Sequence, residues 1–239
     1  MPIVSNFFKN FLNVNSNENN RNAWLEKTLT SLPNGLRILD AGAGELKNKY
    51  LCRHMEYISQ DVCVYDGVGD ESGLQVGSWD TSKIDLICDI CQIPEPDCSY
   101  DVILCSEVFE HLTDPLKALD EFKRLLRPGG ILILTAPFAS FVHFSPYHYQ
   151  TGFSKYWYEF HLPSKSFDIK ELSSNGDWFS FVRQEMLRMP KMARKYGAWH
   201  WPFAYLVGAL SSFYLSFNDR YHQSDELACF GWHCVAIKH

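Results

Sequence analysis

Along this chain, short apolar runs alternate with polar stretches broken by glycine or proline, and from Arg37 onward the alternation becomes regular. Apolar runs of this length, bounded by turn signals, predict buried strands. They fall at Arg37–Ala41, Glu56–Ser59, Lys83–Cys88, Asp101–Cys105 and Gly130–Thr135. Between the last two lies a helix with clear punctuation. Asp114-Pro115 supplies an N-cap and a first-turn proline, Leu116, Leu119, Phe122, Leu125 and Leu126 make one apolar face, and Pro128-Gly129-Gly130 ends it. A further helix is predicted over Ala23–Leu32, closed by Pro33-Asn34-Gly35, and another over about Ser166–Ser174. The latter leads through Asn175-Gly176 to a predicted strand at Trp178–Leu187, which pairs in a final hairpin with Leu227–Ile237. Ahead of these elements, Asn13–Asn22 reads as a breaker. Ile3, Val4, Phe7, Phe8, Phe11 and Leu12 put an apolar stripe on one helical face, so residues 1–35 are expected to form a helical arm packed on the domain. Strands alternating with helices imply an α/β fold, a doubly wound and mostly parallel sheet.

The first strand ends in a turn with chemical content, Asp40-Ala41-Gly42-Ala43-Gly44-Glu45. Glycines between a strand and a helix beginning near Glu45 would bring backbone N–H groups to one spot, ready for the polar or anionic end of a small ligand. Asp61 lies 21 residues past Asp40, after the second strand, where open α/β sheets place a carboxylate that holds a ribose diol. Lys47 stands where a dinucleotide fingerprint needs glycine, which counts against a nicotinamide cofactor.

Composition narrows the classes further. The 239 residues carry a net charge of −6, which argues against nucleic acid as a partner. Of the eight cysteines, Cys88-x-x-Cys91 and the pair Cys229 and Cys234 fall in apolar strand-like runs, and the rest are scattered singly. No secretory leader is legible, so a cytoplasmic protein with reduced thiols and no metal is expected.

Five segments in order resemble the class I S-adenosylmethionine-dependent methyltransferases. They are Ile38-Leu39-Asp40-Ala41-Gly42-Ala43-Gly44; Tyr57-Ile58-Ser59-Gln60-Asp61; Asp89-Ile90 with Ile93-Pro94; Ser99 to Leu112; and Leu126-Arg127-Pro128-Gly129-Gly130. The resemblance covers roughly Leu36 to Phe153 and implies a seven-stranded Rossmann-like sheet whose last strand runs antiparallel. It implies S-adenosyl-L-methionine as cofactor, held by Asp40, Ala41, Gly42, Ala43 and Gly44 at its methionine end and by Asp61 at the ribose. Asp89 and Ile90 would take the adenine, with Cys105, Ser106 and Glu107 at the carboxyl edge. Leu46 departs from the family's third glycine. Glu110 reads as a helix-side charge outside the pocket, and His111 stays open between that reading and a site role.

The loop after the fifth strand carries His143-Phe144-Ser145-Pro146-Tyr147-His148-Tyr149-Gln150-Thr151-Gly152-Phe153. In the resembling fold this loop faces the transferred methyl. Methyl transfer asks mainly for positioning, and an alcohol acceptor gains from a general base in the imidazole range. His143 or His148 is the candidate base, with Tyr149 and Tyr147 shaping the acceptor pocket. A metal held by the two histidines and Glu107 matches no strong ligand spacing. The loop also resembles a branch met among enzymes of surface glycan and lipid-linked metabolism, with His148-Tyr149 in place of an Asp-Tyr pair and Gly152 in place of an arginine. The expected function is therefore O-methylation of a small, sugar or glycan-linked acceptor. The other-class alternative is a cofactor-holding scaffold without catalysis.

Gly197–Phe217 is crowded with aromatics, and only His200 in it could carry a charge. It reads as part of a helical insertion over 189–225, within a methyltransferase domain spanning 36–239. A pocket cap or homodimer face is favoured over contact with a membrane surface.

Overall fold

The computed structural model describes residues 16–218 and 223–239. The apolar stripe from Ile3 to Leu12 lies outside the described residues. Strands β1 (Arg37–Ala41), β2 (Glu56–Asp61), β3 (Leu86–Ile87), β4 (Tyr100–Ser106), β5 (Leu126–Pro137), β6 (Phe167–Asn175) and β7 (Gly231–Lys238) join in the order β3–β2–β1–β4–β5–β7–β6. The pairs β2–β3, β1–β2, β1–β4 and β4–β5 are parallel, and β7 runs antiparallel to β5. This is the expected α/β architecture of seven strands. Because β1, β2, β4 and β5 are parallel, Ala41, Asp61, Ser106 and Pro137 all end at one edge, the carboxyl edge where such sheets bind ligands.

The helices are α1 (Ser16–Thr30), α2 (Pro115–Leu125), α3 (Lys155–Ser164), α4 (Trp178–Lys195) and α5 (Trp201–Ser216). Beneath β1 and β4 sits a core of Leu25, Leu29, Ile38, Leu51, Cys52, Met55, Val102, Leu104 and Ile133. Residues Val102 to Cys105 are wholly buried, as a central parallel strand covered on both faces must be. Helix α2 forms as its punctuation predicts: the Asp114 carboxylate accepts from the Lys117 N–H at 3.0 Å, and Pro115 occupies the first turn. Its apolar face buries Leu119, Phe122 and Leu125 completely, each worth about 1.5–3 kcal/mol. It ends at Leu125 rather than at the Pro-Gly-Gly, which lies in a bulge inside β5, where pairing steps from Tyr100↔Leu126 to Val102↔Ile131.

Other expected elements are corrected. Ser166–Ser174 is strand β6, not a helix: Phe167 and Ile169 alternate with exposed Asp168 and Lys170, the period of a pleated chain. Trp178–Leu187 is the start of α4, not a strand. Asp177 caps it by accepting the Ser180 N–H at 2.8 Å, and this cap overrides the β preference of its aromatic residues. The final pair is therefore β7 with β6. The asparagine-rich breaker is largely helix α1, and the helix expected from Glu45 is a turn followed by a single 3-10 turn at Lys49–Cys52. The excursion from β2 to β3 likewise contains no α-helix.

The chain divides into two compact units, Met1–Ala23 with Ser174–Phe230, and Trp24–Ser173 with Gly231–His239. In the first, α4 and α5 pack closely because Gly208 has no Cβ, which would stand 2.7 Å from the Met186 carbonyl oxygen. Helix α4 starts ahead of the expected insertion at 189–225 and runs into it, α5 lies within it, and Trp199, Phe203, Leu210 and Tyr214 in this stretch are largely exposed. Among the described residues, no helix is long and apolar enough to cross a membrane. The second unit carries the site.

Candidate active site

At the carboxyl edge the glycine turn behaves differently from its sequence reading. Gly42 and Ala43 both donate to the Gln60 carbonyl, at 2.8 and 2.9 Å, and Gly44 donates to Asp61 Oδ2 at 2.9 Å. These three amides hold the end of β2 instead of facing a ligand. Gly42 and Gly44 have φ of +79° and +50°, conformations suited to glycine, and side chains crowd the space a Cβ would take: Val108 over Gly42 and Trp79 over Gly44. The result is a rigid Asp61. Its Oδ1 accepts a second amide, that of Cys63, at 2.8 Å, so both oxygens are aimed while each keeps acceptor capacity.

Asp40 is almost fully buried, and its Oδ2 accepts from the Tyr57 hydroxyl at 2.7 Å. Burial pushes this carboxyl up to about 7, with Asp61 adding to the rise and the Tyr57 bond opposing it. The side chain therefore braces β1 against β2. Asp89 is exposed and caps its own turn through the Cys91 N–H at 2.8 Å, while neighbouring Ile90 is buried. Cys105 is completely buried, and burial raises its thiol well above the ordinary range. Ser106 pairs with Thr135 at 2.9 Å, and Thr135 in turn donates to Glu107 Oε1 at 3.0 Å. Glu107 has φ of +56°, a strained conformation for a residue with a side chain and one that concentrates at functional edges.

Past Glu107 the chain forms a 3-10 turn, Phe109–His111. Phe109 anchors it, buried among Phe122, Phe153 and Trp157 with ring centroids 5.8–6.2 Å apart. Glu110 and His111 then meet the loop that follows β5. The Glu110 carbonyl accepts the Tyr149 and Gln150 amides at 2.9 and 3.0 Å, and His111 Nδ1 lies 2.6 Å from the Tyr147 carbonyl. His143 Nδ1 lies 2.8 Å from the Phe141 carbonyl. A carbonyl can only accept, so both rings carry their proton on Nδ1 and present Nε2 as a lone pair. Each Nε2 is 3.8 Å from Glu110 Oε1. His148 completes the group, its ring centroid 4.8 Å from that of His143. Among the described residues, both ring nitrogens of His148 are buried without a hydrogen-bond partner. Burial, together with His143, lowers His111 to about 4 and moves His148 down as well.

The structure brings His143 and His148 together and adds Glu110, read from sequence as outside the pocket, and His111, left open there. Glu110 is 1% exposed and faces the histidines, not a charge outside the pocket. Tyr149 is 49% exposed, and its backbone ties the loop to Glu110. An aromatic wall was also missed. Tyr65 and Trp79, from the β2–β3 excursion, pack on Phe144 with centroids 4.4 and 5.0 Å away, and Phe144 stacks on His111. The signal was the density of glycine at 67, 69, 73 and 77. Gly69, with φ of +54°, sits where a Cβ would collide with the Ser145 carbonyl, and Leu74 exchanges backbone hydrogen bonds with Val142 and Phe144 at 2.9 and 3.2 Å.

A model of the methyltransferase domain family matches residues 16–209. The chain belongs to the class I S-adenosylmethionine-dependent methyltransferases. Among curated relatives, a ubiquinone biosynthesis O-methyltransferase of Xylella fastidiosa strain M23 is 32% identical over 108 residues, 42% of each chain. A demethylmenaquinone methyltransferase of Chlamydia pneumoniae is 25% identical over 70% of each chain. The match with the ubiquinone-biosynthesis relatives spans less than half of their length, 40–48%. Among solved structures, the cyclase SpnF aligns with a TM-score of 0.55 at 18% identity, over 92% of this chain and 80% of that one. A phosphoethanolamine N-methyltransferase from Haemonchus contortus aligns at 0.52 and 16% identity, over 92% and 52%. At such identities the likeness is one of fold, which hosts more than one chemistry.

S-adenosylmethionine is the family's cofactor, and the donor set at this edge fits its nucleoside end. Were the cofactor bound there, Asp61 would accept from its two ribose hydroxyls, Asp89 would accept from the adenine amino group, and Ile90 would give the ring an apolar contact. The amide cradle expected for the methionine carboxylate is absent at Gly42–Gly44, where the N–H groups are already engaged.

Proposed function

We propose that this chain methylates a hydroxyl oxygen of a small, sugar-like or glycan- or lipid-linked acceptor, in the cytoplasm. The observation that carries the reading is His148, half-buried with both ring nitrogens buried and unpartnered, on the loop that follows β5 with His143 and beside His111 of the 3-10 turn after β4. When bound, S-adenosylmethionine supplies an electrophilic methyl group on a sulfonium. Everything else falls to the chain. Asp61, Asp89 and Glu107 orient the cofactor, Tyr65, Trp79 and Phe144 exclude water, and the histidine cluster orients the acceptor hydroxyl and favours loss of its proton. The O-methyltransferase relatives support oxygen as the acceptor atom. All eight cysteines are free thiols, as suits a reducing compartment.

The test is a methyl-transfer screen with labelled cofactor across sugar, lipid-linked and phenolic hydroxyl acceptors, followed by single-turnover rates for His148→Gln. Transfer to a hydroxyl, with turnover lowered about 10²–10⁴-fold in the variant and cofactor affinity unchanged, supports the reading. Cofactor binding without transfer to any acceptor would instead favour the scaffold alternative.

A further inference from the structure

Three imidazoles converge at the acceptor side of the sheet edge. One ring nitrogen from each of His111, His143 and His148 lies within 4.8 Å of the other two. Two of the rings are prepared in the way metal-ligating histidines usually are, with Nδ1–H donated to a backbone carbonyl, at 2.6 Å for Tyr147 and 2.8 Å for Phe141. That fixes the tautomer and turns each Nε2 lone pair inward. The inward-facing atoms meet a buried carboxylate oxygen, Glu110 Oε1, 3.8 Å from both. Bonds of roughly 2.0–2.1 Å in a tetrahedral site put neighbouring ligand atoms about 3.3 Å apart, so the cluster needs only small side-chain movements to close. His148 then gains the partner its buried nitrogens otherwise lack.

We propose that His111, His143 and His148, with Glu110 beside them, bind one divalent transition-metal cation of the zinc class. Three imidazoles and one carboxylate form a borderline-soft donor set, suited to zinc, iron or nickel and poorly suited to magnesium or calcium. Glu110 offsets part of the cation's charge. The sequence suggested no such set, because the ligand from the 3-10 turn lies 32 residues before His143. Its nearest metal reading took Glu107 as third ligand, whereas that carboxylate is engaged by Thr135. Metal binding stands on this geometry alone. A role for the metal, holding the acceptor oxygen and easing its ionisation with the proton leaving to solvent, rests on the methyl-transfer reading.

The full chain, stripped of metal by chelator, should take up one equivalent of zinc by calorimetry at pH 7.5, with neither cofactor nor acceptor present. His143→Ala and His148→Ala should each weaken uptake by about 100-fold or more, and Glu110→Gln by about 10-fold. Circular dichroism and melting of the metal-free variants show whether each has folded. Cobalt in place of zinc should give visible bands without a thiolate charge-transfer band. The Cys88→Ser, Cys91→Ser double variant should bind as the unaltered protein does, since burial raises both thiols and disfavours their thiolates. No stoichiometric uptake, uptake undiminished in a folded His143→Ala, His148→Ala variant, or a thiolate cobalt spectrum would each overturn the proposal. Because the assay contains no methyl donor, zinc uptake without methyl transfer refutes the function and keeps the site, and the converse refutes the site alone.

Discussion

The proposed cofactor side and the proposed acceptor side of this sheet edge are built in opposite ways. On the cofactor side, Asp40 to Gly44 and Asp61 sit on adjacent parallel strands within one short stretch of chain, tied together by backbone hydrogen bonds. On the acceptor side, Tyr65, Trp79, Glu110, His111, His143 and His148 come from three distant segments, joined by ring packing and a few loop hydrogen bonds. The first is a local device with a recognisable spelling. The second exists only when the β2–β3 excursion and the loop after β5 are both in place. A change on one side should therefore register in one measurement and leave the other untouched.

The sharpest separation should come from His148→Gln, which removes about 10²–10⁴ from single-turnover rate while isothermal titration with S-adenosylmethionine stays at the unaltered value. A parallel loss of cofactor affinity would mean the two sides are one site. The mirror change is Asp61→Ala, expected to weaken cofactor binding by about 1.5–3 kcal/mol per charge-assisted hydrogen bond lost, read by the same titration. It also strips the Gly44 and Cys63 amides of their acceptor, so melting should be followed alongside.

Gly69→Ala tests the join between the two loops. Its Cβ would run into the Ser145 carbonyl from a left-handed backbone. Turnover should fall by about tenfold, with cofactor affinity within about twofold of the unaltered protein, because misplacement by about 1 Å is costly to positioning and not to binding elsewhere. Equal losses in both would show that the excursion also holds the cofactor.

The smallest effect concerns pH and stability on the cofactor side. Asp40 is raised to about 7 in the folded chain from an ordinary value of about 3.9 in the unfolded one. Between these values the folded state keeps a proton that the unfolded state has released, so Asp40's contribution is full below about pH 4 and is lost as pH rises through about 7. Melting temperature against pH over 4.5–7.5 should slope less steeply in Asp40→Asn than in the unaltered chain. An unchanged slope would locate the titration elsewhere.

What the sequence determined by itself was whatever rests on short-range pattern. The strands from β1 to β5, the capped helix α2 with its Asp114-Pro115 start, and the place of Asp61 follow from apolar period, turn residues and fixed spacing, which neighbouring residues set through backbone geometry. Two elements were misread because local preference conflicts with context. The aromatic run from Trp178 is β-prone, yet a cap at Asp177 commits it to a helix. Residues Phe167–Asn175 become a strand because β7 offers an edge to pair with. Tertiary structure alone decided that the Gly42 and Ala43 amides serve the Gln60 carbonyl and the Gly44 amide Asp61, and that Glu110 is buried against His111 and His143. No sequence interval encodes these contacts. They depend on Phe109 packing under α2 and on the β5 loop folding back onto the Glu110 carbonyl, and both form only after the sheet has brought the ends of β4 and β5 side by side.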